Sequence, residues 1–360
     1  MNRADFIPDV IYTRRDDGLA VPVDRRSDPD RWLAIVNDDD AVITQLDDGQ
    51  KPGGPGIVPT SSSSAPGAVA HMLELLDVGP GMNVLEIGAG TGYNAALIAQ
   101  AVSPGHVTTI EIDPGIADHA RAALGTTGLP VAVITADGSV GHADGAPYDR
   151  VMCTAGALCV PYAWVEQTRP GGVIVLPVEG SFDRQAFARL TVNDDGQARG
   201  RFDGGASFMR LRTQRDDKPL WKVVTPEIAA EFDTDPEDVS ITTTTALHTE
   251  PFTDRHAAFA LGLLLPGWRE ARRPRDGIVL LSHGASGSWA SIVPGDDEHK
   301  VYHQGPRRLW EDLEAAYHWW LDAGRPDHTR FGLTVTPAGQ TFWLDSPDNP
   351  LPQIGGEASG

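Results

Sequence analysis

Three glycines in the segment VLEIGAGTGY (Val84–Tyr93) have the spacing of a loop that holds a small-molecule ligand. Gly88, Gly90 and Gly92 follow an apolar run that predicts a strand, and they precede a helical pattern. Because glycine has no Cβ, the backbone of such a loop can approach a ligand closely, and a helix N-terminus favours a negative group. The spacing differs from the G-x-G-x-x-G of NAD-binding enzymes, since the third glycine comes one residue early. The segment therefore predicts a ligand loop that is not of the dehydrogenase type.

Acidic residues accompany this loop at three strand ends. Glu86 lies two positions before the first glycine and gives the pattern E-x-G-x-G-x-G, which is typical of enzymes that use S-adenosylmethionine. Glu111 ends the next apolar run, where a carboxylate can accept hydrogen bonds from both ribose hydroxyls. Asp137 and Gly138 end the third run, where an acid can accept a hydrogen bond from an adenine amino group. Because an open α/β sheet binds ligands at the carboxyl ends of its strands, these positions converge on one crevice.

The elements that must position these residues alternate between apolar runs and helical patterns. Alternating elements with continuously apolar strands predict a doubly wound α/β sheet, covered on both faces. The predicted strands are Asn83–Gly88, His106–Asp113, Val131–Asp137, Tyr148–Ala157 and Gly172–Val178, and the predicted helices are Ala68–Val78, Tyr93–Val102, Gly115–Leu124 and Tyr162–Thr168.

A segment rich in glycine, proline and serine, Lys51–Pro66, precedes the first of these helices. Its composition is that of a flexible linker. It also places Ser64 or Ala65 at the helix N-cap and Pro66 in the first turn, as helix starts prefer. Since a serine cluster at a helix N-terminus points several donors at one spot, we expect this loop to bind an anionic group.

The stretch Ile57–Pro177 resembles protein L-isoaspartate O-methyltransferases. The resemblance rests on SSAPGAVAHMLELL, VLEIGAGTGYNAAL, VTTIEID, ADGSVG, APYDRVMCTAGA, VPYAW, EQTRPGGVIVLPV and ASFMRLR, in that order. It implies a Rossmann-like class I methyltransferase fold and S-adenosylmethionine as cofactor, with S-adenosylhomocysteine as product. The chain departs from the family's pattern at Gly67, where a histidine is usual, and in the late F-V-P-L motif, which here is Phe208-Met209-Arg210-Leu211.

The resemblance also assigns roles to individual residues. Ser64 is the key serine, and it is the candidate to hold an acceptor carboxylate by hydrogen bonding. The residues expected to bind the cofactor are Glu86, Gly88, Gly90, Gly92, Tyr93, Glu111, Ile112, Asp137, Gly138 and Thr154. Those expected to bind the substrate are Ser62, Ser63, Ala155 and Gly156.

The C-terminal third has a different character and is absent from the repair enzymes of this family. Its ending, HTRFGLTVTPAGQTFWLDSPDNP, looks like the branch associated with ribosomal peptides made by ATP-grasp ligases, the graspetides. We therefore predict an N-terminal arm packing on the catalytic domain (residues 1–50), the methyltransferase domain (51–215), an accessory α+β peptide-recognition domain (216–352) and a disordered tail (353–360).

Composition excludes several other classes. The net charge of -21 would repel a polyanionic partner, so we expect no nucleic acid. No apolar stretch is long enough for a membrane span, and the first ten residues lack the apolar core of a secretion signal, so we expect no membrane and a cytoplasmic location. Cys153 and Cys159 fit neither a disulfide framework nor a zinc site, and His299 with His303 lacks a third ligand, so we expect no metal.

Three functions remain open. The enzyme could methylate an Asp carboxylate of a precursor peptide that an ATP-grasp ligase of the same pathway has cyclised, after which the ester closes to an aspartimide. It could instead repair isoaspartyl residues of many proteins. A third reading is a catalytically weak scaffold that binds S-adenosylmethionine and whose C-terminal domain holds a peptide.

Overall fold

The computed structural model describes residues 1–215, 240–244, 250–273, 277–295 and 298–355. Its strands are β1 (Val10–Arg14), β2 (Ala20–Asp24), β3 (Val42–Leu46), β4 (Pro59–Ser63), β5 (Asn83–Ile87), β6 (His106–Glu111), β7 (Val131–Thr135), β8 (Tyr148–Cys153), β9 (Thr168–Glu179), β10 (Gln185–Val192), β11 (Ala198–Ala206), β12 (Ser240–Thr244), β13 (Trp268–Arg273), β14 (Ile278–His283), β15 (Ser288–Val293), β16 (His299–Gln304), β17 (Phe331–Thr336) and β18 (Gly339–Leu344). Its helices are α1 (Pro29–Asn37), α2 (Pro66–Leu76), α3 (Tyr93–Val102), α4 (Pro114–Gly125), α5 (Tyr162–Glu166), α6 (Glu250–Thr253), α7 (Arg255–Leu264) and α8 (Leu309–Asp322).

The central sheet has nine strands in the order β18-β17-β11-β10-β9-β8-β5-β6-β7. Strands β5 to β9 pair in parallel, and the rest of the sheet pairs antiparallel. After β5 the chain builds β6 and β7 on one side and then β8 and β9 on the other. The strand order therefore reverses between β5 and β8, and a crevice opens there at the carboxyl ends. This arrangement confirms the predicted Rossmann-like fold.

The apolar core lies on both faces of the parallel strands. Neighbouring residues of one strand belong to different clusters: Leu85 packs with Trp164 on one face, whereas Val84 packs with Met72 of α2 on the other. This is the alternation that a pleated strand imposes. Because both faces are covered by helices, the central strands can be continuously apolar, which is why they were recognisable in the sequence.

The N-terminal part forms its own four-stranded antiparallel sheet, in the order β2-β1-β3-β4. Trp32 and Val36 of α1 pack on this sheet, against Ile11, Val23 and Val42 of its strands. The interpretation of Lys51–Pro66 as a linker is wrong for Pro59–Ser63, which form β4 and pair with β3. The domain boundary predicted at residue 50 therefore cuts this sheet. Backbone hydrogen bonds hold β4, and composition does not reveal them.

Beyond residue 239, the described residues include a five-stranded antiparallel sheet, in the order β12-β16-β15-β14-β13. Helix α8 packs on this sheet through Trp310 and Leu313. Helix α7 lies between the two sheets, since Leu261 and Leu264 join the core of the second sheet while Phe259 joins that of the central sheet. A helix that is apolar all round is buried all round, as α7 is.

The last strand pair does not belong to the second sheet. Strands β17 and β18 lie within the predicted accessory domain, 216–352, but β17 pairs with β11 and extends the central sheet. The predicted boundary is therefore wrong for these strands, because Phe331, Leu333 and Val335 are buried in the central core. Residues 216–239, 245–249, 274–276 and 296–297 of the predicted accessory domain, and 356–360 of the predicted tail, lie outside the described residues. Among the described residues, no helix combines the length and apolar character needed to cross a membrane.

Candidate active site

A cavity of about 560 Å³ opens at the carboxyl ends of β5 and β6. Its volume falls within the range of roughly 300–1,000 Å³ that is usual for small-molecule sites. The glycine loop after β5 forms one wall, β4 and the start of α2 form a second, and residues 205–213 form a third. Twelve of the predicted site residues line it: Ser62, Ser63, Ser64, Gly88, Gly90, Tyr93, Glu111, Ile112, Asp137, Gly138, Thr154 and Ala155.

The first two glycines of the loop are required by its geometry. Gly88 and Gly90 have φ values of +95° and +53°, which side-chain-bearing residues rarely adopt. A Cβ at Gly88 would lie 2.7 Å from Thr154 Oγ1, and one at Gly90 would lie 3.2 Å from the carbonyl oxygen of Ser62. The Thr154 hydroxyl donates a 2.7 Å hydrogen bond to the Gly88 carbonyl. The loop is thus fixed between Thr154, which follows β8, and the serine segment Ser62–Ser64.

The third glycine has a structural role. Gly92 is the N-cap of α3, with φ of +84°, and a Cβ there would lie 3.1 Å from Leu124 of α4. It does not line the cavity. Its absence of a side chain lets α3 and α4 pack closely, and contact of Gly92 with the cofactor stays a prediction.

Glu86 also lies outside the lining of the cavity. Its side chain is fully buried beneath the loop and does not line the cavity. The carboxylate accepts hydrogen bonds from Asn94 Nδ2 at 2.6 Å and from Thr109 Oγ1 at 2.5 Å. Burial raises the pKa of Glu86 to about 7. Glu86 therefore joins β5, β6 and α3 beneath the glycine loop and lies outside the lining of the cavity, and its direct contact with the cofactor stays a prediction.

Glu111 lies where the sequence predicts, at the end of β6. Its carboxylate accepts hydrogen bonds from the backbone N–H groups of Gly90 at 3.0 Å and Asp113 at 3.1 Å. The side chain is largely buried, and this desolvation raises the pKa of Glu111. Ile112, the next residue, is exposed at the cavity wall. Both groups face the space beside the glycine loop.

Asp137 and Gly138 close the same end of the cavity. The Asp137 carboxylate accepts hydrogen bonds from the N–H of Ser139 at 2.9 Å and from its hydroxyl at 2.7 Å. This caps a single turn of 3-10 helix over Gly138–Val140. The Gly138 carbonyl accepts a hydrogen bond from Trp164 Nε1 at 2.8 Å. Asp137 is thus held by local backbone geometry at the cavity edge.

The serine segment differs from its predicted form. Ser62 and Ser63 belong to β4, and only Ser64 lies in the connection to α2. The hydroxyl oxygen of Ser63 accepts a 3.2 Å hydrogen bond from Arg3 Nε. The N-terminus of α2 already has an anionic partner, since Asp39 Oδ1 accepts from the Gly67 N–H at 2.7 Å. The expected anion site at this helix end is therefore filled by the protein itself, while Ser64 remains partly exposed at the cavity wall.

Gly156 supports the third wall from behind. Its N–H donates to the Met209 carbonyl at 2.9 Å, and its carbonyl accepts from the Leu211 N–H at 2.9 Å. A Cβ there would lie 2.8 Å from Gln185 Nε2. Gly156 is buried and does not line the cavity, whereas Ala155 does, and the binding of substrate by Gly156 stays a prediction.

Three arginines at the cavity wall, Arg210, Arg212 and Arg215, were not predicted as site residues. Arg212 donates to Asp113 Oδ2 at 3.1 Å, and Arg215 to Asp48 Oδ1 at 2.9 Å. Arg210 pairs with Glu179, and this hydrogen bond raises the pKa of Arg210. The one signal for these arginines in the sequence is the run Phe208–Leu211, where Arg210 interrupts the late F-V-P-L motif of the family.

Among the described residues, one group could hold a metal ion: His256, Asp327 and His328, whose candidate ligand atoms lie within 4.8 Å of one another. None of the three lines the cavity. No local spacing predicts this group, since its members come from α7 and from the turn before β17.

The strand order and the cavity are those of a Rossmann-like fold, and the family match identifies the class as methyltransferases that use S-adenosylmethionine. The family model of protein-L-isoaspartate(D-aspartate) O-methyltransferase matches residues 53–216. The chain belongs to this family. It is 47% identical over 151 residues to the protein-L-isoaspartate O-methyltransferase of Methanopyrus kandleri, covering 41% of this chain and 66% of that protein.

A second relative gives a similar match. The Pyrococcus horikoshii protein of the same description is 43% identical over 149 residues, covering 41% of this chain and 67% of that protein. The chain thus spans about two thirds of the length of these relatives. A solved structure titled protein-L-isoaspartate O-methyltransferase is 22% identical, covers 87% of this chain and 89% of that chain, and has a TM-score of 0.49. Family membership rests on the sequence matches.

Proposed function

We propose that this enzyme transfers the methyl group of S-adenosylmethionine to the side-chain carboxylate of an Asp in a ribosomally made precursor peptide. In this proposal an ATP-grasp ligase of the same cytoplasmic pathway has already cyclised the peptide. The observation that carries the proposal is that Ser64 and the glycine loop line one cavity. An acceptor held at the serine and a donor held at the loop would therefore face each other.

The residues of the cavity fit S-adenosylmethionine. Gly88 and Gly90 allow close backbone approach, and the lone pairs of Glu111 not used by backbone N–H groups are available to the ribose hydroxyls. Asp137 is available to the adenine amino group. When bound, the cofactor would supply an electrophilic methyl group.

The acceptor needs no general base. An Asp carboxylate has a reference pKa of about 3.9 and is ionised at neutral pH. The Ser64 hydroxyl would donate a hydrogen bond to one carboxylate oxygen and orient the other, which attacks the methyl carbon as the carbon–sulfur bond breaks. A neutral hydroxyl suits this role, because a cationic partner would stabilise the nucleophile and slow it. Positioning of this kind can contribute on the order of 7–11 kcal/mol.

The ester then makes a second step accessible. The backbone nitrogen of the following residue attacks the ester carbonyl, loses its proton, and expels methoxide, which leaves as methanol. The product is a succinimide (aspartimide). Relative to the starting peptide, the mass first rises by one methyl in place of one hydrogen and then falls to a net loss of one water.

The contacts of the C-terminal region support the proposal that the enzyme is selective for a particular substrate. The turn Ser181–Asp183 after β9 packs against α7 and β13, and the Ser181 hydroxyl donates a 2.6 Å hydrogen bond to the Leu265 carbonyl. Asp183 also lies 3.6 Å from Arg210, which lines the cavity. The added region is therefore connected, through the turn Ser181–Asp183, to Arg210 of the third cavity wall. Binding energy from remote contacts can be used to position a particular substrate.

A second candidate, repair of isoaspartyl residues, is favoured by the description that the relatives share. It predicts turnover of many short, linear isoaspartyl peptides. The third, a weak scaffold, predicts cofactor binding without turnover.

A mass-spectrometric competition tests these functions against each other. The full-length enzyme receives the cyclised precursor, its linear form and a generic isoaspartyl peptide together, with S-adenosylmethionine. We expect the cyclised precursor to react fastest, since a closed ring loses less conformational entropy on binding. Equal or faster turnover of the isoaspartyl peptide would overturn the proposal in favour of repair. Binding of S-adenosylhomocysteine with no turnover of any peptide would leave the scaffold.

A further inference from the structure

Arg3 lies behind the serine segment and is buried, with 6% of its surface exposed. The function proposed above assigns it no role. Its guanidinium donates to six oxygens. Nη2 contacts the carbonyls of Asp40, Ser63 and Ser64, each at 2.9 Å, Nη1 contacts those of Val36 and Asp38 at 3.2 Å, and Nε contacts Ser63 Oγ at 3.2 Å. One side chain therefore joins the end of α1, the connection between α1 and β3, and the serine segment.

The chemistry of this contact is specific to arginine. A guanidinium presents five N–H donors in a rigid plane, whereas an ammonium presents three donors from a single nitrogen. Burial lowers the pKa of Arg3, while Asp39 and Asp40 act in the opposite direction. A lysine would keep the charge but could not reach both the α1 carbonyls and the serine carbonyls at once.

The same short segment reaches the cofactor side of the cavity. Arg3 begins a single 3-10 turn, Arg3–Asp5, and the next residue, Phe6, packs edge-on against Tyr93 with ring centroids 5.6 Å apart. The Phe6 carbonyl lies 2.8 Å from His119 Nε2 of α4. Tyr93 lines the cavity at the start of α3. The first six residues thus join Ser63 and Ser64 to α3, which follows the glycine loop, and to α4.

We propose that Arg3 is a positioning residue for methyl transfer, which fixes the carbonyls of Ser63 and Ser64 and thereby the Ser64 hydroxyl relative to the glycine loop. This inference rests on the proposed role of Ser64. Asp39 contributes from the same unit, since it holds the Gly67 N–H at the start of α2. In this proposal the N-terminal unit, which consists of α1 and the sheet β2-β1-β3-β4, is part of the active site. A misplacement of about 1 Å in a reacting group can cost about 100-fold in rate.

The test compares Arg3→Lys and Arg3→Ala with the wild type in full-length protein. Each is assayed on whichever of the three peptides the wild type methylates, and S-adenosylhomocysteine binding is measured by calorimetry. We expect kcat to fall about 10- to 100-fold, with the cofactor Kd and the KM of the acceptor unchanged. Arg26→Lys is the matched control, because Arg26 is an exposed arginine of the same unit, and it should behave as wild type. Unchanged kcat, or a parallel loss of cofactor affinity, would overturn the proposal.

A second measurement does not depend on turnover. Hydrogen exchange of residues 59–69 should speed up in Arg3→Lys, while that of β5 should not change. If the wild type methylates no peptide, the proposed function fails, yet faster exchange confined to 59–69 would still support the Arg3 contact. Unchanged exchange in that segment would overturn it. If Arg3→Ala does not fold, the conservative Arg3→Lys variant decides both measurements.

Discussion

Glu86→Gln should make this protein more stable, and increasingly so as pH rises. Glu86 is fully buried, and burial raises its pKa from 4.5 to about 7. Glutamine has the same shape and removes the charge. The Asn94 amide can donate to its oxygen, and the Thr109 hydroxyl can turn to accept from its NH₂ group. The variant therefore replaces a buried carboxylate without opening a cavity.

The pH dependence follows from the raised pKa. Below about pH 4.5 the carboxyl is protonated in both folded and unfolded chains, and the wild type has no disadvantage. Between pH 4.5 and 7 the unfolded chain loses this proton while the folded chain keeps it, so wild-type stability falls as pH rises. Above pH 7 the deficit is complete. The pKa difference corresponds to about 3 kcal/mol, which is the upper limit of the gain expected for Glu86→Gln.

Urea unfolding at several pH values from 4.5 to 8.5 measures this gain. Glu74→Gln is the control, because Glu74 is an exposed glutamate of α2 and its substitution should leave stability unchanged at every pH. S-adenosylhomocysteine affinity should also stay unchanged in Glu86→Gln, since Glu86 does not line the cavity. A variant less stable than wild type at pH 8, or a gain independent of pH, would refute the reasoning.

Three further predictions follow from the site and the sheet. Glu111→Gln should weaken S-adenosylhomocysteine binding by about 1.5–3 kcal/mol in calorimetry, the usual worth of a hydrogen bond to a charged group, and unchanged affinity in a folded variant would remove Glu111 from the site. Ser64→Ala should lower kcat far more than cofactor affinity, and undiminished turnover would transfer the role to Ser62. Truncation after Arg215 should give insoluble or unfolded protein, because it removes β17 from the edge of β11 and α7 from the central core, and a soluble fragment with a cooperative thermal transition would contradict this.

The parallel half of the fold was predictable because its signals are local. Each strand from β5 to β9 is a short apolar run, and each helix between them shows helical spacing within a dozen residues. The glycine loop, Glu111 and Asp137 follow strand ends directly, so their convergence at one crevice follows from the topology of a parallel sheet. The prediction of S-adenosylmethionine as the cofactor is confirmed, because it too rested on local signals, the glycine loop and the acidic strand ends.

The sequence was less informative where the partners are distant. Nothing in the local pattern distinguishes Glu86, which supports the loop from below, from a residue that faces the cavity. The same holds for Gly92 and Gly156, whose neighbours are Leu124 and Gln185. A motif identifies residues that belong to a site, but burial decides which of them reach the ligand.

The doubly wound sheet, the glycine loop and the acidic strand ends can be predicted from the amino-acid sequence, because each depends on residues within one element and its turn. The packing of the whole chain makes β4 a strand, adds β17 and β18 to the central sheet, and places Arg3 behind Ser63 and Ser64. Arg3 and Ser63 are 60 residues apart, and Arg212 and Gln45 are 167 apart. Such contacts form when the whole chain is packed, since backbone pairing and buried hydrogen bonds carry no periodic signature along the sequence.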